Sequence, residues 1–256
     1  MNIFVIMKRT FDTEEKITIE NGEVTDDGAE YIINPYDEYA IEEAIQQRDE
    51  HGGEVTVVTV GDEEAEKQLR TALAMGADKA VLIEEEEIEN CDPCSIEILL
   101  SAYFKEQAPD LILGGNVAVD GGSGQVGPRL AENLGINHVT SVTKLTIEDD
   151  KAHVEKDVEG DQEYLDITLP LLVTAQQGLN EPRYPSLPGI MKAKKKPFET
   201  LDLDDLELEE EDVVGKTVTV DRYLPPEKQA GKKLEGDTEE QVAELVSLLK
   251  TEAKVI

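Results

Sequence analysis

The sequence predicts an α/β protein: a Rossmann-like parallel sheet with helices on both faces, then an antiparallel extension and a C-terminal arm. Three observations carry this reading. Apolar runs alternate with helical stripes over the first 135 residues. Four strand-like segments then follow one another between Val142 and Thr174. Beyond Thr174 the chain is irregular until one amphipathic helix near its end.

Taken in order, Met1–Met7 is a short apolar run and reads as a first strand rather than a signal peptide. Residues 17–24 predict a hairpin, because Asn21-Gly22 supplies the positive φ angles of a type I′ turn. Asn34-Pro35 predicts a helix start, with Asn as N-cap and Pro at the first position. Its stripe is Ala40, Ile41, Ala44 and Ile45, and Gly52-Gly53 ends it. Val55–Val60, almost all β-branched, suits a strand buried on both faces. Asp62–Met75 is a second helix closed by Gly76, and Val81–Ile83 a strand. Ser95–Lys105 is a third helix, Leu111–Leu113 a strand, and a glycine-rich loop then leads into a helix through Leu134. Val142–Ile147, Ala152–Val158, Tyr164–Leu169 and Leu171–Thr174 predict an antiparallel extension, on the same sheet or beside it. Residues 180–188 hold three prolines and exclude a regular interior element. Residues 200–235 show little helical periodicity. Asp237-Thr238 caps a last helix with Val242, Leu245, Val246 and Leu249 on one face, fit to dock on another subunit or on its own domain. The expected division is a nucleotide-binding domain over 1–190 and a C-terminal arm and helix over 191–256.

Composition narrows the function. Lys and Arg number 24 against 58 Asp and Glu, a net charge of −34. That disfavours nucleic-acid backbones and anionic membranes as partners. The acid is spread, with local runs at Glu84–Glu87 and Glu207–Asp212, and resembles the surface of proteins from salt-loving organisms. Two cysteines exclude a disulfide scaffold, and the absence of an 18-residue apolar run excludes a spanning helix. A soluble, cytoplasmic protein is expected.

Few motifs carry chemistry. Gly122-Ser123-Gly124-Gln125-Val126-Gly127 matches G-x-G-x-x-G after a strand and before a helix, the context in which glycines and helix N–H groups cradle a phosphate. It sits after the fourth αβ unit, and the acids about 20 positions on, Asp149 and Asp150, lie in a hairpin turn, so it is a poor hydride-cofactor fingerprint; a mere tight turn is the lesser alternative to a phosphate loop. Cys91-Asp92-Pro93-Cys94 is a lone C-x-x-C without further metal ligands. No nucleophile elbow occurs. Residues 192–196 hold four lysines, either a strand-edge charge block or an anchor for an acidic partner or a phosphate.

These segments together resemble the beta subunit of electron transfer flavoprotein. The resemblance runs over nearly the whole chain: Val5–Arg9, Asn34–Glu38 with Ala40–Ala44, Arg70-Thr71-Ala72-Leu73-Ala74-Met75-Gly76-Ala77-Asp78, Asp120 with Gln125-Val126-Gly127, Asn180-Glu181-Pro182-Arg183-Tyr184, and Leu187 through Lys196. It implies an adenine-nucleotide-alpha-hydrolase-like fold and an electron carrier without catalytic residues of its own. It also implies a heterodimer with an alpha subunit that holds most of the FAD, and passage of electrons from dehydrogenases such as acyl-CoA dehydrogenases of fatty acid oxidation to a quinone-linked acceptor. By position, the resemblance places AMP against Ile6, Asn34, Pro35, Tyr36, Asp37, Val60, Gly115, Asn116, Asp120, Gly121, Gly122, Ser123, Gly124, Gln125, Val126 and Gly127. The Asp-Gly-Gly and Gln-Val-Gly-Pro forms of the loop resemble members that bind a second FAD there and bifurcate electrons. The loop at Leu187 resembles the one whose leucine plugs a pocket on the dehydrogenase. A stand-alone adenine-nucleotide-binding stress-type protein would share the core without needing residues 180–196 or the arm. A nicotinamide dehydrogenase would need an acid at the second strand end, which is not evident.

Overall fold

The computed structural model describes residues 1–25, 28–84, 91–226 and 230–256; Glu85–Glu87 of the first acidic run lie outside them. The strands are β1 (Asn2–Ile6), β2 (Arg9–Phe11), β3 (Thr18–Glu20), β4 (Glu23–Thr25), β5 (Tyr31–Ile33), β6 (Glu54–Gly61), β7 (Lys79–Glu84), β8 (Leu111–Gly115), β9 (Asn137–Glu148), β10 (Lys151–Val158), β11 (Asp161–Thr168), β12 (Leu171–Ala175) and β13 (Phe198–Leu201). The helices are α1 (Pro35–His51), α2 (Glu66–Met75), α3 (Pro93–Lys105), α4 (Val126–Leu134), α5 (Leu187–Ala193) and α6 (Thr238–Thr251).

The larger of two compact units comprises Met1–Ile17 and Thr25–Val220. Its nine-stranded sheet has the order β11-β10-β9-β12-β8-β1-β6-β7-β13. Neighbours from β9 to β13 are parallel; β10 and β11 continue β9 antiparallel. β12 therefore corrects the expected extension. Its all-buried Leu171–Ala175 pairs parallel with β8 and β9 and joins the centre of the sheet instead of closing a meander. Parallel strands are buried on both faces, and this one carries no polar face.

Alternation sorts the core. Ile3, Val5, Val57 and Leu113 face α1 and α2, with Ile41, Ile45, Leu69 and Leu73 opposite. Phe4, Val58, Val81 and Ile112 face α3 and α4, with Leu99, Phe104 and Leu130. The Phe4 ring meets Phe104 edge-on at 5.1 Å between centroids. The stretch after β13, irregular in sequence, sends Leu203, Leu206, Leu208 and the fully buried Val213 into this second cluster. β13 itself was not predicted; it extends the sheet edge in register with Ala80–Ile83.

The smaller unit, Thr18–Val24 with Asp221–Ile256, contains the predicted hairpin and last helix. Asn21 and Gly22 take φ of 54° and 85°. Asp237 caps α6 by accepting from the amides of Glu239 and Glu240, both at 3.0 Å. Val242, Leu245 and Val246 on α6 are exposed. No helix among the described residues is long and apolar enough to cross a membrane.

Candidate functional site

The chain runs from β1 outward to β6 and β7 on one side, then returns past β1 to β8 and β12 on the other. Such a reversal opens a crevice at the carboxyl ends of the strands. A cavity of about 610 Å³ lies there, lined by Ile6 from β1, Val58 and Val60 from β6, Gly115 from β8, Asn116 just after it and Thr174 from β12. Of the residues anticipated from sequence, Asn34, Asp37, Gly121, Gly122, Ser123, Gly124, Gln125, Val126 and Gly127 line it too, while Pro35, Tyr36 and Asp120 do not.

Asn34 occupies the N-cap position of α1 but does not cap it. Its side chain instead crosses to the loop after β8, donating from Nδ2 to the Val117 carbonyl at 3.0 Å and accepting at Oδ1 from the Val119 amide at 3.2 Å. The sequence signature of a cap is the same either way, since both uses need a short amide side chain at a turn. Asp37 sits one turn on and is buried. Its two oxygens accept from the backbone amides of Lys8 and Gly115, each at 2.7 Å, and so tie the ends of β1 and β8 together. Burial pushes the Asp37 carboxyl up to about 7, against the opposing pull of these donors, Asn34 and the Lys8 charge. Gly115 is needed for this contact: a Cβ there would stand 2.4 Å from Asp37 Oδ1 and 2.7 Å from the Tyr36 Cβ. Pro35 and Tyr36 thus lie outside the lining, with Tyr36 packed against Gly115.

Asp120 also acts from outside. Its carboxylate pairs with Lys8 Nζ at 2.7 Å and accepts from the Gly121 amide, fastening the glycine loop to the end of β1. Gly122 and Gly124 hold φ of 62° and 59°. Around Gly121 and Gly122 an added Cβ would meet nothing within 4 Å, so the loop tip leaves open space. Gln125, at the N-cap of α4, makes no side-chain capping bond, and Gln125, Val126 and Gly127 at this helix start line the crevice. Asn116 Oδ1 accepts from Thr174 Oγ1 at 2.9 Å and the Ser141 amide at 3.2 Å, locking the ends of β8 and β12 to the body of β9.

Sequence reasoning missed part of the lining. Lys8, Arg129, Lys216 and Thr217 border the cavity, as do both cysteines of the C-x-x-C. Lys8, directly after a strand end, was findable. Lys216 and Thr217 arrive through a contact 124 and 125 residues away in sequence: Asp92 Oδ2 accepts from their amides at 2.8 and 2.9 Å and from Thr217 Oγ1 at 2.9 Å. Asp92 Oδ1 meanwhile caps α3 through Cys94 and Ser95. Desolvation raises the Asp92 carboxyl, but these donors outweigh it and hold it at about 2.

A second feature is the segment before β13. Arg183 forks onto the buried Glu42 carboxylate through Nε at 2.6 Å and Nη2 at 2.9 Å, and Asn180 donates to Tyr39 O and Glu43, both at 3.0 Å. These bonds fasten the segment to α1. Beyond them Tyr184, Leu187, Ile190 and Met191 are exposed, Leu187 at 81%. Tyr184 precedes α5, which carries the other three, starting at Leu187 with Ser186 as cap, so Pro188 lies in the first turn where no amide is needed. Its seat is α2. Gly189 packs so closely that a Cβ would lie 2.3 Å from the Ala74 carbonyl. Arg70 Nη1 donates to Ala193 O at 3.2 Å, and Lys196 Nζ to the carbonyls of Leu73 and Ala77 at 2.9 and 2.5 Å. The lysine run is divided: Lys192 lies in the last turn of α5, and Lys196 points inward onto the end of α2.

Fold and crevice define an open α/β protein with a ligand-sized cavity at its topological switch point. Residues 22–206 match the electron transfer flavoprotein domain family. The chain is 67% identical over 257 residues, the full length of both, to the electron transfer flavoprotein subunit beta of Bacillus subtilis. It is 39% identical to that of Syntrophomonas wolfei, over 100% of this chain and 98% of the relative. It is 37% identical, over 98% of each, to the caffeyl-CoA reductase-Etf complex subunit CarD of Acetobacterium woodii. The chain belongs to the electron transfer flavoprotein beta subunit family.

Proposed function

We propose that this chain is the beta half of a heterodimeric cytoplasmic carrier that takes electrons from dehydrogenases, such as acyl-CoA dehydrogenases, and delivers them to a quinone-linked acceptor. In that reading the chain is not itself an enzyme. The alpha subunit holds most of the FAD, which supplies the redox chemistry, and the crevice of this chain binds AMP as a structural ligand. The observation that carries the ligand assignment is the bare backbone of the crevice. Gly115, Gly122 and Gly124 bring main chain to its surface, and α4 opens onto it uncapped. Its volume lies within the ~300–1,000 Å³ usual for small-molecule sites. The anchored segment ending in Leu187 supports contact with a dehydrogenase, because an exposed leucine held on a rigid base gains energy on burial with little ordering cost. The exposed face of α6 and the arm beyond residue 191 support pairing with the alpha subunit.

A second reading, electron bifurcation with FAD in this crevice, is favoured by the open space around Gly121 and Gly122. A stand-alone nucleotide-binding protein leaves the anchored segment and α6 without a use. Denaturing the purified heterodimer and identifying the released ligands by mass spectrometry tests the assignment. One AMP per heterodimer is expected, a second FAD supports bifurcation, and no nucleotide beyond a single FAD overturns a ligand in this crevice.

A further inference from the structure

The cavity is bordered on one side by chain from the C-terminal third of the sequence, and that border is built rather than incidental. Asp92 grips Lys216 and Thr217 with three hydrogen bonds from one carboxylate oxygen, and Val213 is fully buried just before them. The backbone at Lys216 is therefore fixed, while its side chain is exposed and lines the cavity. Arg129 of α4 lines the same cavity, and among the described residues its side chain donates to the neutral Gln125, at 3.2 Å. Lys8, the third cation there, is already neutralised by Asp120. Among the described residues neither the Lys216 ammonium nor the Arg129 guanidinium has a carboxylate partner. In a chain of net charge −34, two cations without a carboxylate partner lining one cavity mark a place for an external anion.

Resting on the nucleotide reading above, we infer that Lys216, with Arg129, holds the phosphate of the bound nucleotide, so that ligand binding and the docking of residues 213–217 are coupled. Each favours the other by the same factor, as linkage requires. The chain enters the smaller unit at Asp221, so the ligand steadies residues of the arm a few positions before that unit begins.

The test compares AMP with adenosine by calorimetry on nucleotide-free heterodimer, for the wild type and Lys216→Ala. The Lys216 side chain has no hydrogen-bond or ion-pair partner among the described residues, and Ala keeps the backbone amide that Asp92 holds, so the variant should keep its melting temperature. Loss of one charge-assisted phosphate contact should weaken AMP about tenfold and leave adenosine unchanged. Lys216→Arg should restore most of the difference. Hydrogen exchange supplies a second readout: AMP should slow the amides of 216 and 217 in the wild type, and far less in Lys216→Ala. Equal affinity of both proteins for AMP, or equal weakening of AMP and adenosine, overturns the phosphate role. Failure of the wild type to bind either probe instead overturns the adenine-nucleotide reading on which the inference stands.

Discussion

Replacing Arg183 with methionine isolates the bond that holds the exposed segment to the protein. Glu42 is only 5% exposed at its side chain and Arg183 is 40% exposed. Removing one partner of a fully buried pair costs about 3–5 kcal/mol, and solvent at the Arg183 end reduces this to about 2 kcal/mol. Gln46 still donates to Glu42 at 2.8 Å, so the carboxylate is not orphaned. For a unit of this size ~2 kcal/mol corresponds to a fall in Tm of about 4–8 °C. The pH dependence identifies the cause. Burial raises the Glu42 carboxyl, but hydrogen bonds from Arg183 and Gln46 and the Arg183 charge bring it below its ordinary value. A lowered acid contributes stability above its unfolded pKa, and the contribution is lost as pH falls through the folded value. The gap between wild type and Arg183→Met should therefore be full at pH 7 and close below about pH 4. Urea denaturation across that range measures it. A gap under about 0.5 kcal/mol at pH 7, the level of an ordinary surface change, or one that persists unchanged to pH 3, would refute the assignment of Arg183 as an electrostatic anchor.

Four further outcomes are expected. Leu187→Ala should lower partner affinity about thirtyfold, ~2 kcal/mol, with unchanged Tm; electron transfer from a cognate dehydrogenase, run beside dithionite reduction, separates docking from flavin loss. Asp37→Asn should flatten the pH dependence of stability: a carboxyl raised to about 7 favours the folded state below about pH 4 and loses that contribution as pH rises to 7, which urea titrations of wild type and variant at pH 4 to 8 will show. Gly115→Ala should cost about 1–3 kcal/mol and empty the crevice, since the methyl cannot coexist with Asp37 and Tyr36; melting curves and released nucleotide report it. Raising salt from tens of millimolar to molar should raise Tm by screening a net charge of −34, and a salt-independent Tm would leave the acid excess without that role.

How much of this was legible in sequence follows the range of the forces involved. The alternation of β-branched runs and helical stripes is local, and it gave β1, β6, β7, β8 and all four large helices of the sheet layers. Pairing is not local. Leu171–Ala175 reads the same whether it closes a hairpin or inserts between β8 and β9, and only the tertiary burial of both its faces decides. β13 hides because Phe198–Leu201 is short, half polar and follows four lysines. In the crevice, glycines and strand ends were visible because backbone requirements leave a residue-level mark. The border at Lys216 was not, because it depends on one carboxylate reaching a segment more than a hundred residues away. Asn34 shows the intermediate case: position legible, bonding partner not.

The double fastening of α5 has a kinetic meaning. One end is tied to α1 through Arg183 and the other to α2 through Arg70 and Lys196, so the side chains at its tip arrive at an encounter already in place. No loop needs to fold before contact, and none needs to unfold for release. Association is then governed by collision and orientation, and residence time by a few apolar side chains whose release has no conformational step to wait for. For the carrier role proposed above, a stiff, small contact is a geometry that would permit both short visits and a defined approach.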